Sequence, residues 1–268
     1  MGFLAAPEPF SFELTAARFR AFGLDRASLW QDGVLRRALG GREVRIAPAP
    51  GGVEVEPLDA ETEPVVRRLL GFDFDLLAFA SRAAVDEQLA PLVLRFAGLR
   101  PSLSPDPFEA LVTSITAQQV SLFSAVAIRN RFVERLGEQV GDVWAFPARE
   151  RVAAASEEEL VALGFSRRKA EYVTSLARSE LDLDALALLP DEEVKARLTA
   201  LRGLGEWTAD WFLARHLGRP HAWPAGDLAL RRAVAALYGQ VDVRAAGIRF
   251  EPFQNLAAHY LLAQYLTR

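Results

Sequence analysis

The chain contains no cysteine. That excludes a disulfide framework, a thiolate zinc site, an iron–sulfur cluster and a cysteine nucleophile. Its three histidines, His216, His221 and His259, show no ligand spacing, so a multi-histidine metal centre is not expected. No apolar run approaches the ~20 residues that a membrane-spanning helix needs. The first residues, MGFLAAPEPF, place no basic segment before their apolar side chains, so they do not read as a secretion signal. There is no phosphate loop of the ATPase kind and no serine nucleophile elbow. What is present is ordinary for a globular chain: 51% hydrophobic and 25% charged residues over 268 positions. A chain of this size buries a large core without covalent staples, as one large or two modest domains. The expectation is a soluble, monomeric cytoplasmic protein (nucleoid-associated if bacterial) with no membrane partner.

Lysine is also scarce: only Lys169 and Lys195 occur, and both read as solvated helix charges. The net charge of −4 is unevenly spread. Residues 150–196 hold 11 acidic and 6 basic side chains, whereas residues 197–249 hold 8 arginines and 4 acids. A net acidic chain with a basic C-terminal third is compatible with a local anion-binding face.

Two styles of patterning divide the chain. Residues 9–60 alternate apolar and polar side chains between glycines and prolines, in PFSFELTAARF, REVRIAPAP and GGVEVEPL, with Ala49-Pro50-Gly51-Gly52 as a turn. From about residue 62 the period becomes helical. Short helices are expected at Glu63–Leu70, Leu76–Ala80 and Val85–Phe96. A long amphipathic stretch follows from Phe108 to Leu136, opened by Asp106 as N-cap and Pro107 at the first helical position. Ser156-Glu157-Glu158-Glu159 fits a capping box, and helices are expected over 167–178, 191–200, 206–217, 227–238 and 252–267. The fold class is therefore α+β: a small N-terminal antiparallel β-sheet lobe, residues 1–75, followed by a mainly helical body, residues 76–268.

The most informative segment is LTALRGLGEWTADWFLAR, residues 198–215. Two glycines two residues apart, Gly203 and Gly205 around Leu204, let two helices meet in a tight hairpin. The turn aims backbone N–H groups at a helix N-terminus, and such groups bind phosphate without reading bases. Glycine also ends many ordinary helices, so the motif alone does not decide. Twenty residues beyond Trp207 stands Asp227, in AWPAGD. It suits a plain N-cap for the helix that follows. An aspartate at the positive end of a helix dipole also suits a carboxylate that stabilises developing positive charge.

Hairpin plus Gly-Asp resembles the helix-hairpin-helix DNA glycosylase superfamily. The segment FEALVTSITAQQVS, residues 108–121, is similar to the one that supplies the DNA-probing loop in its 3-methyladenine DNA glycosylase II branch. The resemblance implies a helix-hairpin-helix glycosylase body and excision of alkylated, cationic purines such as 3-methyladenine from double-stranded DNA after base flipping. Asp227 would be the catalytic carboxylate. Trp207 and Trp211, at i and i+4, would line the base pocket, where an indole face attracts a cationic base. Arg202, Gly203, Leu204, Gly205, Thr208, Gln118 and Gln119 would contact DNA. Gln119 would be the wedge that fills the gap left by the flipped base, with Leu122 as the substitute. Leu262, with Tyr260 nearby, would stand where relatives add a pocket aromatic. No cofactor is required, although the carbonyls of Thr199, Leu201 and Leu204 match the place where relatives hold a sodium or potassium ion. Relatives that also cleave the strand carry a lysine where Trp207 stands, so a monofunctional enzyme is implied. Two alternatives stay open: a non-catalytic helix-hairpin-helix DNA-binding module, and a glycosylase for hypoxanthine or etheno-adducts.

Overall fold

In a computed structural model, residues 1–266 are described. Five strands form one antiparallel sheet: β1 (Gly2–Ala5), β2 (Ser28–Gln31), β3 (Val34–Leu39), β4 (Arg42–Ala49) and β5 (Gly52–Glu56), in the order β1-β5-β4-β3-β2. Tight turns set the register. Gln31 pairs with Val34 across Asp32 and Gly33, both in the left-handed region at φ 52° and 78°. Two-residue hairpins need that geometry, because it follows the twist of the strands. Ala49 pairs with Gly52, so the expected Ala-Pro-Gly-Gly turn forms. Alternate residues on the inner face, including Leu35, Leu39, Val44, Ile46, Val53 and Val55, are buried. They meet α1 (Phe12–Ala16) and α2 (Thr62–Leu69) through Phe12, Val66 and Leu69.

Residues 9–19 correct the sequence reading: they form α1 and a short 3-10 turn rather than a strand. Ser11 caps the helix by accepting a hydrogen bond from the Leu14 amide. Phe12, Thr15, Ala16 and Phe19 are buried at helical spacing, a period hidden beneath the alternation.

The helical body comprises α3 (Leu76–Ala83), α4 (Ala90–Arg95), α5 (Pro107–Ala117), α6 (Leu122–Leu136), α7 (Arg149–Ala153), α8 (Glu157–Ala162), α9 (Arg167–Arg178), α10 (Asp191–Thr199), α11 (Glu206–Phe212), α12 (Leu228–Tyr238), α13 (Val243–Ala246) and α14 (Gln254–Leu266). A two-stranded ribbon, β6 (Gln139–Val140) with β7 (Val143–Trp144), separates α6 from α7. Position 267 of the expected last helix lies outside the described residues, as does the end of the 76–268 body. Helix α11 runs on as a π-helical turn, Leu213–Leu217, ended by Gly218 at φ 67°.

The long stretch expected from Phe108 to Leu136 is broken in two. Gln118 leaves α5 with extended backbone, and Ser121 caps α6 by accepting from the Ser124 amide at 3.2 Å. Between them Gln119 takes a left-handed conformation, φ 55°, uncommon for a residue with a side chain.

Apolar residues from Leu4 to Phe72 make one core, and those from Leu76 onward, joined by Ala27, make the other. A buried charge network links them. Arg37, on the inner face of β3, donates to Glu109 of α5 at 2.6 Å. Arg129 of α6 lies 3.8 Å from Glu109 and pairs with Asp25. Such pairs contribute little net stability, but they are costly to break singly, so they fix the sheet against α5 and α6.

Candidate active site

Helices α10 and α11 form the expected hairpin. Leu204 N–H donates to the Leu201 carbonyl at 3.1 Å, closing the turn. Gly203 has φ 89°, and a Cβ there would stand 2.1 Å from the Tyr172 ring. Both facts demand glycine. Gly205 differs. It is the N-cap of α11 with φ −95°, and a Cβ on it would meet nothing within 4 Å. No internal contact requires glycine there. The first N–H groups of a helix such as α11 have no partner within the helix.

The remaining hairpin residues separate into exposed and buried. Arg202 is exposed and pairs with Glu171 of α9. Leu204 packs its side chain into the core. Thr208 is 1% exposed, so it does not face outward as the sequence reading expects. Its hydroxyl accepts from Gln118 Nε2 at 3.3 Å, and the same amide donates to the Gly203 carbonyl at 3.1 Å. Gln118 therefore joins the 118–121 loop to the hairpin turn instead of projecting from it. Gln119 is exposed at the loop tip, and Val120 and Leu122 are 40% and 43% exposed beside it. Phe123 packs edge-on against Phe22, with ring centroids 5.8 Å apart. Val120 and Phe123 were not singled out from sequence, where the amphipathic pattern runs unbroken from Phe108 to Leu136 and the resemblance pointed to Gln119 and Leu122.

Neither lysine is a solvated helix charge. Lys169 is 8% exposed, and its ammonium donates to the Thr116 carbonyl at 2.8 Å, at the end of α5. Burial lowers its pKa from the usual lysine range. Lys195 pairs with the buried Asp210 at 2.9 Å. Neither side chain stands at Trp207.

Asp227 caps α12. Its backbone N–H donates to the Pro224 carbonyl at 2.9 Å, so the Pro-Ala-Gly-Asp segment is a turn that delivers the carboxylate to the helix start. Oδ1 accepts from the Leu230 amide at 2.9 Å. Oδ2 accepts from both indoles, Trp207 Nε1 at 2.9 Å and Trp211 Nε1 at 3.1 Å. The helical i, i+4 spacing of the tryptophans thus converges on one oxygen. Three N–H donors to a carboxylate make short, strong, directional contacts.

The two tryptophans differ in access. Trp207 is half-buried, whereas Trp211 is 4% exposed. The Arg215 guanidinium lies 3.8 Å from the Trp211 ring centroid, and His259 meets its edge at 5.9 Å and 83°. Trp211 is therefore enclosed by protein and is no open wall, unlike the expectation from spacing. Arg215 and His259 escaped the sequence reading, although Arg215 continues the 207, 211 series by four residues. Burial, then Arg18, pushes the Arg215 pKa down to about 9 against the pull of Asp227, so it stays cationic at neutral pH. Burial and then Arg215 push His259 to about 3, so it is neutral there. Tyr260 turns away, donating to the Leu99 carbonyl at 3.0 Å and packing on Phe79, and Leu262 is buried.

Among the described residues, no group of three or more histidines and carboxylates is placed to hold a metal ion. The turn carbonyls differ in use: that of Leu201 already accepts one hydrogen bond, from Leu204.

A helix-hairpin-helix turn, a loop tied to it and a carboxylate gripped by hairpin indoles define a base-excision type of fold and site. Residues 112–246 match the family model described as HhH-GPD superfamily base excision DNA repair protein. The DNA-3-methyladenine glycosylase of Bacillus subtilis is 30% identical over 203 residues, covering 70% of this chain and 67% of that protein. The structure of the 3-methyladenine DNA glycosylase from Archaeoglobus fulgidus superposes with a TM-score of 0.90 at 30% identity, covering 99% of this chain and 98% of that one. The Schizosaccharomyces pombe 3-methyladenine DNA glycosylase, in complex with abasic DNA, gives 0.60 at 29% identity over 69% of this chain and 95% of that one. The chain spans about two thirds of the length of the Bacillus subtilis relative. It belongs to the HhH-GPD superfamily of base excision DNA repair proteins, in the 3-methyladenine DNA glycosylase branch.

Proposed function

We propose that this chain is a monofunctional DNA glycosylase that flips an alkylated purine such as 3-methyladenine out of duplex DNA and hydrolyses its N-glycosidic bond. The observation that carries the reading is the convergence of Trp207 and Trp211 on Asp227 Oδ2. A carboxylate fixed in this way stabilises the positive charge that develops on the sugar as the base departs. It needs no reorganisation at that moment, because all three donors are already in place.

The rest of the surface fits this work. The open N-terminus of α11 at Gly205 takes a phosphate, and the 118–121 loop enters the helix where the base has left, with Gln119 or Val120 at its tip. A sodium or potassium ion held by the carbonyls of Thr199, Leu201 and Leu204 would place positive charge beside that phosphate. Strand cleavage through a Schiff base needs a neutral amine at the sugar, and both lysines are committed to other partners. The enzyme acts as a cytoplasmic monomer.

The test is incubation with duplexes carrying one 7-methylguanine or 3-methyladenine. The base is released, and the strand stays intact until hot alkali. Asp227→Asn keeps DNA affinity and loses about 10²–10³ in single-turnover rate. Wild-type rates from that variant, or no base release by the wild type, refute the assignment.

A further inference from the structure

The catalytic reading leaves the buried Lys169 without a task. Its ammonium donates to one neutral acceptor, the Thr116 carbonyl at 2.8 Å, and burial lowers its pKa with no carboxylate to counter it. Taking an ammonium out of water for a single carbonyl is costly. Its place on its own helix adds to the cost. Lys169 stands in the first turn of α9, which holds no acidic residue, and a cation there opposes the helix dipole. Toward α5 the sign reverses, because Thr116 belongs to the last turn of α5, where a cation is favourable. The lysine serves α5 at the expense of α9.

The carbonyl it takes is the one that a continuing helix would need. In an unbroken helix the Thr116 carbonyl accepts from the Val120 amide, four residues on. The amphipathic pattern crosses that point without interruption. In the structure α5 stops at Ala117, Gln118 is extended, Gln119 is left-handed at φ 55°, and the acceptor goes to the lysine. Gln118 Nε2 holds the same loop from the other side, on the Gly203 carbonyl and the Thr208 hydroxyl. Three residues along α9 from Lys169, and so on the same face, the Tyr172 ring lies against Gly203. One helix therefore abuts both the loop and the hairpin turn.

We infer that Lys169 is a positioning residue for base flipping: by holding the Thr116 carbonyl it keeps the helix broken at residues 118–121 and sets the loop tip in place before DNA arrives. The inference rests on the glycosylase reading above, in which that loop enters the DNA. Lys169 makes no hydrogen bond to Asp227 or its two indoles, so it acts on the loop and not on the sugar. Without the ammonium, the Thr116 carbonyl is released to the Val120 amide. The left-handed turn at Gln119 loses its support, and the loop spends part of its time as helix. Each flipping event then includes the entropy of ordering the loop again. That cost shows where the loop has a gap to fill. A lesion paired with cytosine must be unpaired and unstacked, and leaves an orphaned partner. A lesion opposite an abasic site leaves none.

The experiment measures single-turnover excision of 7-methylguanine placed opposite cytosine and opposite an abasic-site analogue, by wild type, Lys169→Met and Lys169→Arg. Methionine keeps the apolar stem and removes the charge; arginine keeps a cation that reaches the carbonyl. The expected result in Lys169→Met is a loss of about 10- to 100-fold opposite cytosine, the size of one lost charge-assisted hydrogen bond. Opposite the abasic analogue the loss stays within about threefold, and Lys169→Arg recovers most of the paired activity. Affinity for undamaged duplex, read by fluorescence anisotropy, also stays within about threefold, since phosphate contacts belong to the hairpin in this reading. An equal loss on the two duplexes makes Lys169 a general support of the fold and overturns the inference, and so does an unimpaired Lys169→Met. A wild type that releases the base only from the cytosine pair overturns it too, because a loop that replaces the flipped base has no need of a pair. If Lys169→Met does not fold, Lys169→Gln takes its place and the same comparison decides. Release of no base from either duplex by the wild type refutes the glycosylase reading instead.

Discussion

Trp211→Phe removes one N–H from the carboxylate and little else. The phenyl ring keeps most of the buried volume, a face for Arg215 and an edge for His259. Asp227 Oδ2 loses its 3.1 Å donor but keeps Trp207 at 2.9 Å, and Oδ1 keeps the Leu230 amide. A hydrogen bond to a charged group is worth ~1.5–3 kcal/mol. If the indole works by holding the carboxylate where the sugar cation forms, most of that is lost from the transition state. At ~1.4 kcal/mol per factor of ten, the single-turnover rate falls about 10- to 100-fold. Affinity for lesion DNA changes by less than about threefold, because the ring is 4% exposed. The assay is alkali cleavage of an end-labelled duplex containing 7-methylguanine, read under enzyme excess. The sign is informative as well as the size. Removing a donor makes a carboxylate a stronger base, so a rate that holds or rises points to proton abstraction from water as the main work of Asp227. A folded Trp211→Phe protein with the wild-type rate refutes the argument that the indoles prepare the site.

The two hairpin glycines separate folding from binding. Gly203→Ala places a methyl against Tyr172 at φ 89° and lowers stability by about 2–4 kcal/mol in urea unfolding. Gly205→Thr keeps a competent N-cap and its Cβ meets nothing within 4 Å, so unfolding is unchanged while affinity for every DNA sequence drops together. The histidines set the acid limit. His216, held at about 4 by burial, is neutral in the fold and titrates near 6.5 when unfolded. The unfolded chain therefore binds the extra proton, and stability is full above pH 6.5 and falls as pH drops toward 4, by at most about 3 kcal/mol from this group. Urea midpoints at pH 7 and pH 5 for wild type and His216→Asn measure it, and equal slopes for the two proteins contradict the assignment.

The hairpin and its aspartate were legible because both depend on local rules. Glycine at a left-handed turn, and aspartate at a helix start, are required by backbone geometry that neighbouring residues report. The break at Gln118–Ser121 was less visible in the pattern. The apolar period runs through it, and the contacts at the end of α5 form only on folding: Gln118 donates to the Gly203 carbonyl and the Thr208 hydroxyl, and Lys169 to the Thr116 carbonyl. The fate of the lysines was hidden for the same reason, since the Thr116 carbonyl and Asp210 meet them only after folding. Spacing put Trp207 and Trp211 on one face, yet a helical stripe does not say whether it faces solvent, core or a carboxylate. Residues 9–19 failed differently: two periods fit the same letters, and the Ser11 cap decided between them.

The bond from Gln118 to the Gly203 carbonyl and the Thr208 hydroxyl has a further consequence. One amide ties the hairpin turn, proposed to take a phosphate, to the loop tip proposed to enter the DNA. In the proposed complex the two act as the jaws of a caliper set in advance. Once the phosphate is seated, the nucleotide to be turned out is already chosen by position, counted along the backbone from the point of grip. Damage then decides only whether that nucleotide stays out, and recognition becomes a question of residence at a preset address.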